Sequence, residues 1–215
     1  MRFHALLDRL AQEVFLGRTH LWIWRYLNNA LVEKPNVGKE ARCFFTLTLR
    51  AHSDEAFMHL ARLFDTTKGS VSLRTLPKLA RSNATMFQEM KGQQVLSQLL
   101  PEQEHLIHEL EAAAKPVKRR RHTLLAHLDP QAVTNFEGLA KEAMVTVGSL
   151  EKLYQGAGEV VNAFSRPYRN SMNAMELVGW EDYKRVVELV ERGIAAEHEE
   201  FEKRWGPAPK FPEQS

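Results

Sequence analysis

The stretch KEARCFFTLTLRAHSDEAFMHLARLF, residues 39–64, decides the fold class. Its early part, Phe44-Phe45-Thr46-Leu47-Thr48-Leu49, has the β-branched and aromatic character of a strand. Across the whole stretch, however, Phe45, Leu49, Ala56, Leu60, Leu63 and Phe64 mostly share one face at the helical period. The spacing predicts one long helix from about Lys39 to Phe64. Cys43, the single cysteine, reads as a small buried residue beside Phe44 and Phe45. One cysteine permits no intramolecular disulfide and fits a reducing compartment. Nothing next to it in sequence offers the base that a nucleophile needs.

The same rhythm extends in both directions. Leu6, Leu7, Leu10 and Val14, then Leu21, Trp24, Leu27 and Leu31, follow the i, i+3, i+4 pattern. Pro35 and Gly38 mark a loop before the long helix, and Asp65-Thr66-Thr67-Lys68-Gly69-Ser70 a polar loop after it. Ser72 is positioned as the N-cap of a short helix through Leu79, with Leu73, Leu76 and Leu79 as its buried stripe. Helical spacing resumes from about Asn83 to Leu100. Pro101 is expected to open the next helix, which Pro116 interrupts. Beyond Asp129-Pro130 a helix is expected from about Thr134 to Phe164, ended by Arg166-Pro167. Gly156 and Gly158 in its middle signal a bend or a close helix contact. A last helix is expected from Trp180 to Trp205. No internal repeat and no convincing strand is found, so the fold class is all-α, an antiparallel helical bundle with an extra C-terminal helix.

A chain of 215 residues, 44% hydrophobic and 26% charged, supports one core and excludes a disordered polymer. We expect a single domain over residues 1–205 and a disordered tail over 206–215, where Gly206-Pro207-Ala208-Pro209 begins. Charges recur every few positions in the first ten residues, leaving no signal-peptide apolar region. No uncharged apolar run approaches the ~20 residues that span a bilayer. A cytoplasmic protein with no membrane partner is the expectation.

The net charge of +2 decides nothing, but its distribution does. In Lys115-Pro116-Val117-Lys118-Arg119-Arg120-Arg121-His122, five of the first seven residues are cationic, and Leu124-Leu125-Ala126-His127-Leu128-Asp129 follows soon after. One reading is a solvated face that pairs weakly with Glu102, Glu104, Glu109 and Glu111 upstream. The other is an anion site, because guanidinium groups grip phosphate bidentately and histidine exchanges protons near neutrality.

These residues carry a resemblance. Arg121-His122 followed by His127 is similar to the Arg-polar-(x)-His signature of the HEPN superfamily. Ala126-His127-Leu128-Asp129, the paired aromatics Phe44-Phe45, Leu60-Ala61-Arg62-Leu63-Phe64-Asp65 and Ser72-Leu73 before Leu76 resemble the AbiU-type abortive-infection branch. The resemblance covers about Leu21 to Arg169, and the last helix has no evident counterpart. It implies a helical bundle that dimerises, brings two Arg/His motifs into one cleft, and cleaves RNA without a metal or other cofactor in a phage-defence or toxin–antitoxin system. In that role His127 would be general base or acid, Arg121 would hold the phosphate and His122 would orient it. Lys118, Arg119 and Arg120 would hold flanking RNA backbone. Residues six apart lie about 120° apart on an unbroken helix, so Arg120 rather than Arg121 shares a face with His127. A cleft built from two chains would gather them. The resemblance also implies an alternative, a non-catalytic helical dimer that regulates or neutralises a partner or antitoxin protein.

Other clusters are weaker. His105 and His108 with Glu104 and Glu109 supply too few local ligands for zinc, so no metal site is assigned. His52 and His59 read as structural helix-surface histidines. Trp22, Trp24, Tyr26, Phe44 and Phe45 read as core packing, with only Trp22 off the stripe, rather than as a base-stacking platform. A plain helical protein with a solvated basic patch remains the third reading.

Overall fold

A computed structural model describes residues 2–85, 87, 92–121, 145–175 and 179–206. His122, His127, the first part of the helix expected from Thr134 and the tail from Pro207 lie outside the described residues. The described residues form eight helices and no strand, in the order α1 (Phe3–Glu33), α2 (Pro35–Glu40), α3 (Arg42–Leu63), α4 (Thr75–Ser82), α5 (Gly92–Ala113), α6 (Lys115–Arg120), α7 (Val147–Arg169) and α8 (Asp182–Trp205). The β-prone run at the start of α3 is helical, because its buried neighbours recur at the helical period.

The bundle is antiparallel. Glu13 meets His59 and His20 meets His52, so α3 retreats seven residues as α1 advances seven. Phe3 meets Phe164 and Arg25 meets Glu151, which sets α7 antiparallel to α1 as well. The core lies among these three helices and α5. Phe3, Leu6, Leu7, Leu10 and Val14 of α1 are buried with Leu60, Leu63 and Phe64, and with Val160, Val161 and Phe164. Each such side chain removed from water contributes about 1.5–3 kcal/mol before chain entropy is counted. Phe3 anchors one end, edge-on to Phe87, Phe164 and Tyr168 at 5.3, 6.4 and 4.9 Å.

Close helix approach depends on two glycines. A Cβ on Gly17 would overlap the Tyr154 hydroxyl, and one on Gly156 would sit 2.6 Å from Leu110 Cδ2. Gly156 therefore marks a close contact with α5, one of the two alternatives its sequence context allows. Gly17 carries no comparable signal in the sequence.

Several expected boundaries are corrected. Pro35 opens a short helix rather than a loop, and the chain breaks at Ala41 before α3. The short helix starts at Thr75, not just after Ser72, and it is Thr75 Oγ1 that accepts the Ser72 backbone N–H at 3.2 Å. Pro101 lies inside α5 and Pro167 inside α7. An interior proline costs about 3 kcal/mol. Burial of Leu96, Leu100 and Ile107 on both sides of Pro101, and of Phe164 before Pro167, offsets that cost. Helix α7 instead ends at Asn170, whose left-handed backbone (φ 51°) returns its N–H to Arg166 O. Its start is fixed by Thr146, whose side chain accepts the Ser149 N–H at 3.1 Å.

The aromatic reading is also revised. Phe45 is buried, but Phe44 is 59% exposed, Cys43 is exposed, and Tyr26 stands at the surface beside Trp180. The first turns of α3 pack on one side only, so residues next to a buried position point outward.

Candidate functional site

The basic segment forms its own short helix. Ala114 is a turn that ends α5, and Pro116 falls in the first turn of α6, where a missing N–H costs nothing. Val117 is fully buried and pins α6 against the bundle. Lys118, Arg119 and Arg120 then occupy the last turn, and Arg121 keeps helical dihedrals (φ −55°, ψ −50°). Cations suit this end of a helix, where carbonyl dipoles converge.

Arg120 lies with its guanidinium 4.2 Å from the centre of the Phe57 ring. Burial lowers its pKa, and the charge of Asp54 opposes that effect. Arg121 Nη1 stands 3.8 Å from Asp65 Oδ2, a loose ion pair at the exit of α3. Asp65 also accepts the Thr67 N–H at 2.9 Å. Burial works to raise the Asp65 carboxyl, but the Thr67 bonds and the charges of Arg121 and Lys118 hold it below its ordinary value.

The Nε atoms of Arg120 and Arg121 are both buried without a hydrogen-bond partner, and Gln103 Oε1 is the other such atom among the described residues. A buried donor left unpaired costs about 1–3 kcal/mol, more when charged. Two neighbouring guanidinium donors in that state make a place suited to an oxyanion. The structure thus brings Lys118, Arg119, Arg120 and Arg121 onto one helical turn, while His122 and His127 lie outside the described residues.

A second polar cluster, between α1 and α3, escapes the sequence reading. Glu13 and His59 are both buried and joined at 2.6 Å, with Arg9 at 2.5 Å and Arg62 at 3.5 Å on the same carboxylate. His20 Nδ1 meets His52 Nδ1 at 2.8 Å, and the His20 ring stacks over His59 at 5.8 Å. His59 is therefore an interior group and His52 a half-buried one, both facing α1 rather than open solvent. The i, i+7 spacing of His52 and His59 is the signal that could have placed them on the α1 face. His105 is exposed beside Glu109 at 3.4 Å. Among the described residues no three histidine, cysteine, aspartate or glutamate side chains gather to hold a metal ion. Nor, among those residues, is any helix long and apolar enough to cross a membrane.

No curated protein and no solved structure matches the chain. A family model does, the HEPN family described as AbiU2, over residues 2–189. The match begins earlier than the expected Leu21 and continues into α8, so the start of the last helix does have a counterpart in the family. The match spans most of the sequence and the fold is an all-α antiparallel bundle. This chain belongs to the AbiU2 family of HEPN-domain, abortive-infection-related proteins.

Proposed function

We propose that the protein is a metal-independent endoribonuclease of a phage-defence or toxin–antitoxin system, acting as a homodimer whose two Arg/His motifs face one cleft. The observation that carries this reading is the pair of adjacent guanidinium groups, Arg120 and Arg121, each with a buried and unpartnered Nε. The partly exposed Arg121 side chain can bind a phosphodiester with charge-assisted hydrogen bonds, and its guanidinium is only loosely engaged by Asp65 within the fold. Arg121 holds the scissile phosphate and offsets the charge that builds on its oxygens. His127 takes the proton of the ribose 2′-hydroxyl as that oxygen attacks phosphorus, or returns a proton to the departing 5′-oxygen. His122 orients the phosphate, and Lys118, Arg119 and Arg120 hold flanking backbone without reading sequence. The requirement for a 2′-hydroxyl selects RNA over DNA.

The test is cleavage of labelled RNA by the purified protein in EDTA, beside the Arg121→Ala and His127→Ala variants, with folding checked by circular dichroism. Cleavage by the wild type that disappears in both folded variants supports the reading. RNA bound but left intact by the wild type would favour the alternative, a HEPN-type dimer that regulates or neutralises a partner or antitoxin protein.

A further inference from the structure

The loop that leaves α3 holds a carboxylate against the basic turn. Asp65 follows Phe64, which is buried at the end of that helix. Its side chain accepts the Thr67 N–H at 2.9 Å, and Ser70 Oγ donates back to Asp65 O and Thr67 O at 3.4 and 2.8 Å. Gly69, at φ 87°, makes the reversal that brings Ser70 round. The Leu73 N–H then closes onto Leu63 O at 3.0 Å, so the loop is tied at both ends. Asp65 is a fixed charge rather than a swinging one.

Arg120 and Arg121 meet α3 in different ways. Arg120 is held by an aromatic ring, with its guanidinium 4.2 Å from the centre of Phe57. Arg121 has an anion in front of it, Asp65 Oδ2 at 3.8 Å from Nη1. That distance makes an ion pair but exceeds a hydrogen bond, so the guanidinium is attracted and not saturated. Both side chains touch water, Arg121 at 37% exposure and Asp65 at 22%, and pairs of that kind are weak. A phosphate oxygen differs, because it can settle at hydrogen-bond distance and engage two N–H groups with its neighbour. It has the sign of Asp65 and seeks the same guanidinium, so the two anions compete. Burial opposes ionisation of Asp65, but the Thr67 bonds and the charges of Arg121 and Lys118 outweigh it, so the competitor is charged at neutral pH.

We propose that Asp65 is a built-in counter-ion of the basic turn, taking the anion position of Arg121 in the free chain and yielding it to an incoming phosphodiester. A loose pair is enough to turn away a lone anion. It gives way to a phosphate chain that Lys118, Arg119 and Arg120 grip at the same time. The inference rests on the ribonuclease reading in taking phosphate as the ligand of Arg121, and it requires no cleavage.

The test measures, by fluorescence anisotropy at one fixed salt concentration, how the full chain binds a labelled 2′-O-methyl oligoribonucleotide. That probe keeps the phosphodiester chain and has no free 2′-hydroxyl. Asp65→Asn removes the charge and still accepts the Thr67 N–H, and Asp65→Ser does the same with a shorter side chain. Both should bind about three- to fivefold tighter than the parent, with helical content unchanged. In the Arg121→Ala background, Asp65→Asn should change affinity by less than about 1.5-fold. An equal gain in both backgrounds would reduce Asp65 to a distant surface charge and overturn the proposal. So would neutral variants that bind no tighter than the parent while Arg121→Ala binds more weakly, a result that leaves the ribonuclease reading standing. Arg121→Ala binding as well as the parent would sink both. The expected pattern in a protein that cuts no unmodified RNA would keep the counter-ion and end the ribonuclease reading.

Discussion

His59 Nδ1 lies 2.6 Å from Glu13 Oε2, joining α3 to α1 with both side chains buried. Arg9 and Arg62, both with largely exposed side chains, approach the same carboxylate, so Glu13 is a buried negative centre held by one buried and two surface partners. Removing one partner from such a network strands the others. Glu13→Ala is expected to lower the free energy of unfolding by about 3 kcal/mol in urea titration. A loss under about 1 kcal/mol would show that the network contributes little.

The same region sets a pH dependence. Burial lowers the pKa of His20, aided by His52 and His59 and opposed by Glu55, and burial lowers that of His52. Both lie below the ordinary 6.5 in the folded chain, so the unfolded chain binds more protons as pH falls. Stability is greatest above pH 6.5 and declines below it. Burial works to raise the Glu13 carboxyl, but its hydrogen bond to His59 and the charges of His59, Arg9 and Arg62 hold it below 4.5. Glu13 therefore adds a second loss below that pH. Melting temperature should drop between pH 7.5 and 5 in the parent, and by clearly less in the double variant His20→Gln/His52→Gln. Equal drops would assign the dependence to other groups.

Two glycines in helices should respond in opposite directions to alanine. At Gly17 the new methyl meets the Tyr154 hydroxyl and His59 Cβ, so Gly17→Ala is expected to cost about 2 kcal/mol through overpacking. At Gly193 of α8 nothing lies within 4 Å, so Gly193→Ala should gain about 0.5–1 kcal/mol of helix propensity. Chemical denaturation of both variants checks the pair, and a stabilised Gly17→Ala would contradict the close α1–α7 approach.

How much of this was legible in the sequence follows from the range of each signal. Apolar period is local, so the stripes of α1, α3 and α7 and the span of α8 read directly from it. Proline rules are local too, but Pro101 and Pro167 are overridden by packing from other helices, which no local rule contains. The Glu13–His59 pair spans 46 residues, and neither residue alone differs from a surface one. Cys43 and Phe44 are exposed against expectation, because hydrophobic type says nothing about which side of α3 is covered. The basic turn was conspicuous as a charge run; the unpartnered Nε atoms that sharpen it required the fold.

Lys118 is half-buried on the basic turn, and the proposed function has it hold backbone phosphate. Lys118→Ala should weaken RNA binding to a similar degree for unrelated sequences and reduce the slope of log affinity against log salt by about 0.7–0.9. Fluorescence anisotropy across a salt series measures both. A sequence-selective loss with an unchanged slope would place Lys118 on a base instead.

The most direct measurement compares two oligoribonucleotides in EDTA, one all-ribose and one with a single 2′-deoxy nucleotide at the mapped cleavage position. Cleavage of the first to a 2′,3′-cyclic phosphate end is expected, with none at the substituted position of the second and none of either by Arg121→Ala. Cleavage that persists at the 2′-deoxy position, or in folded Arg121→Ala, would contradict the ribonuclease reading.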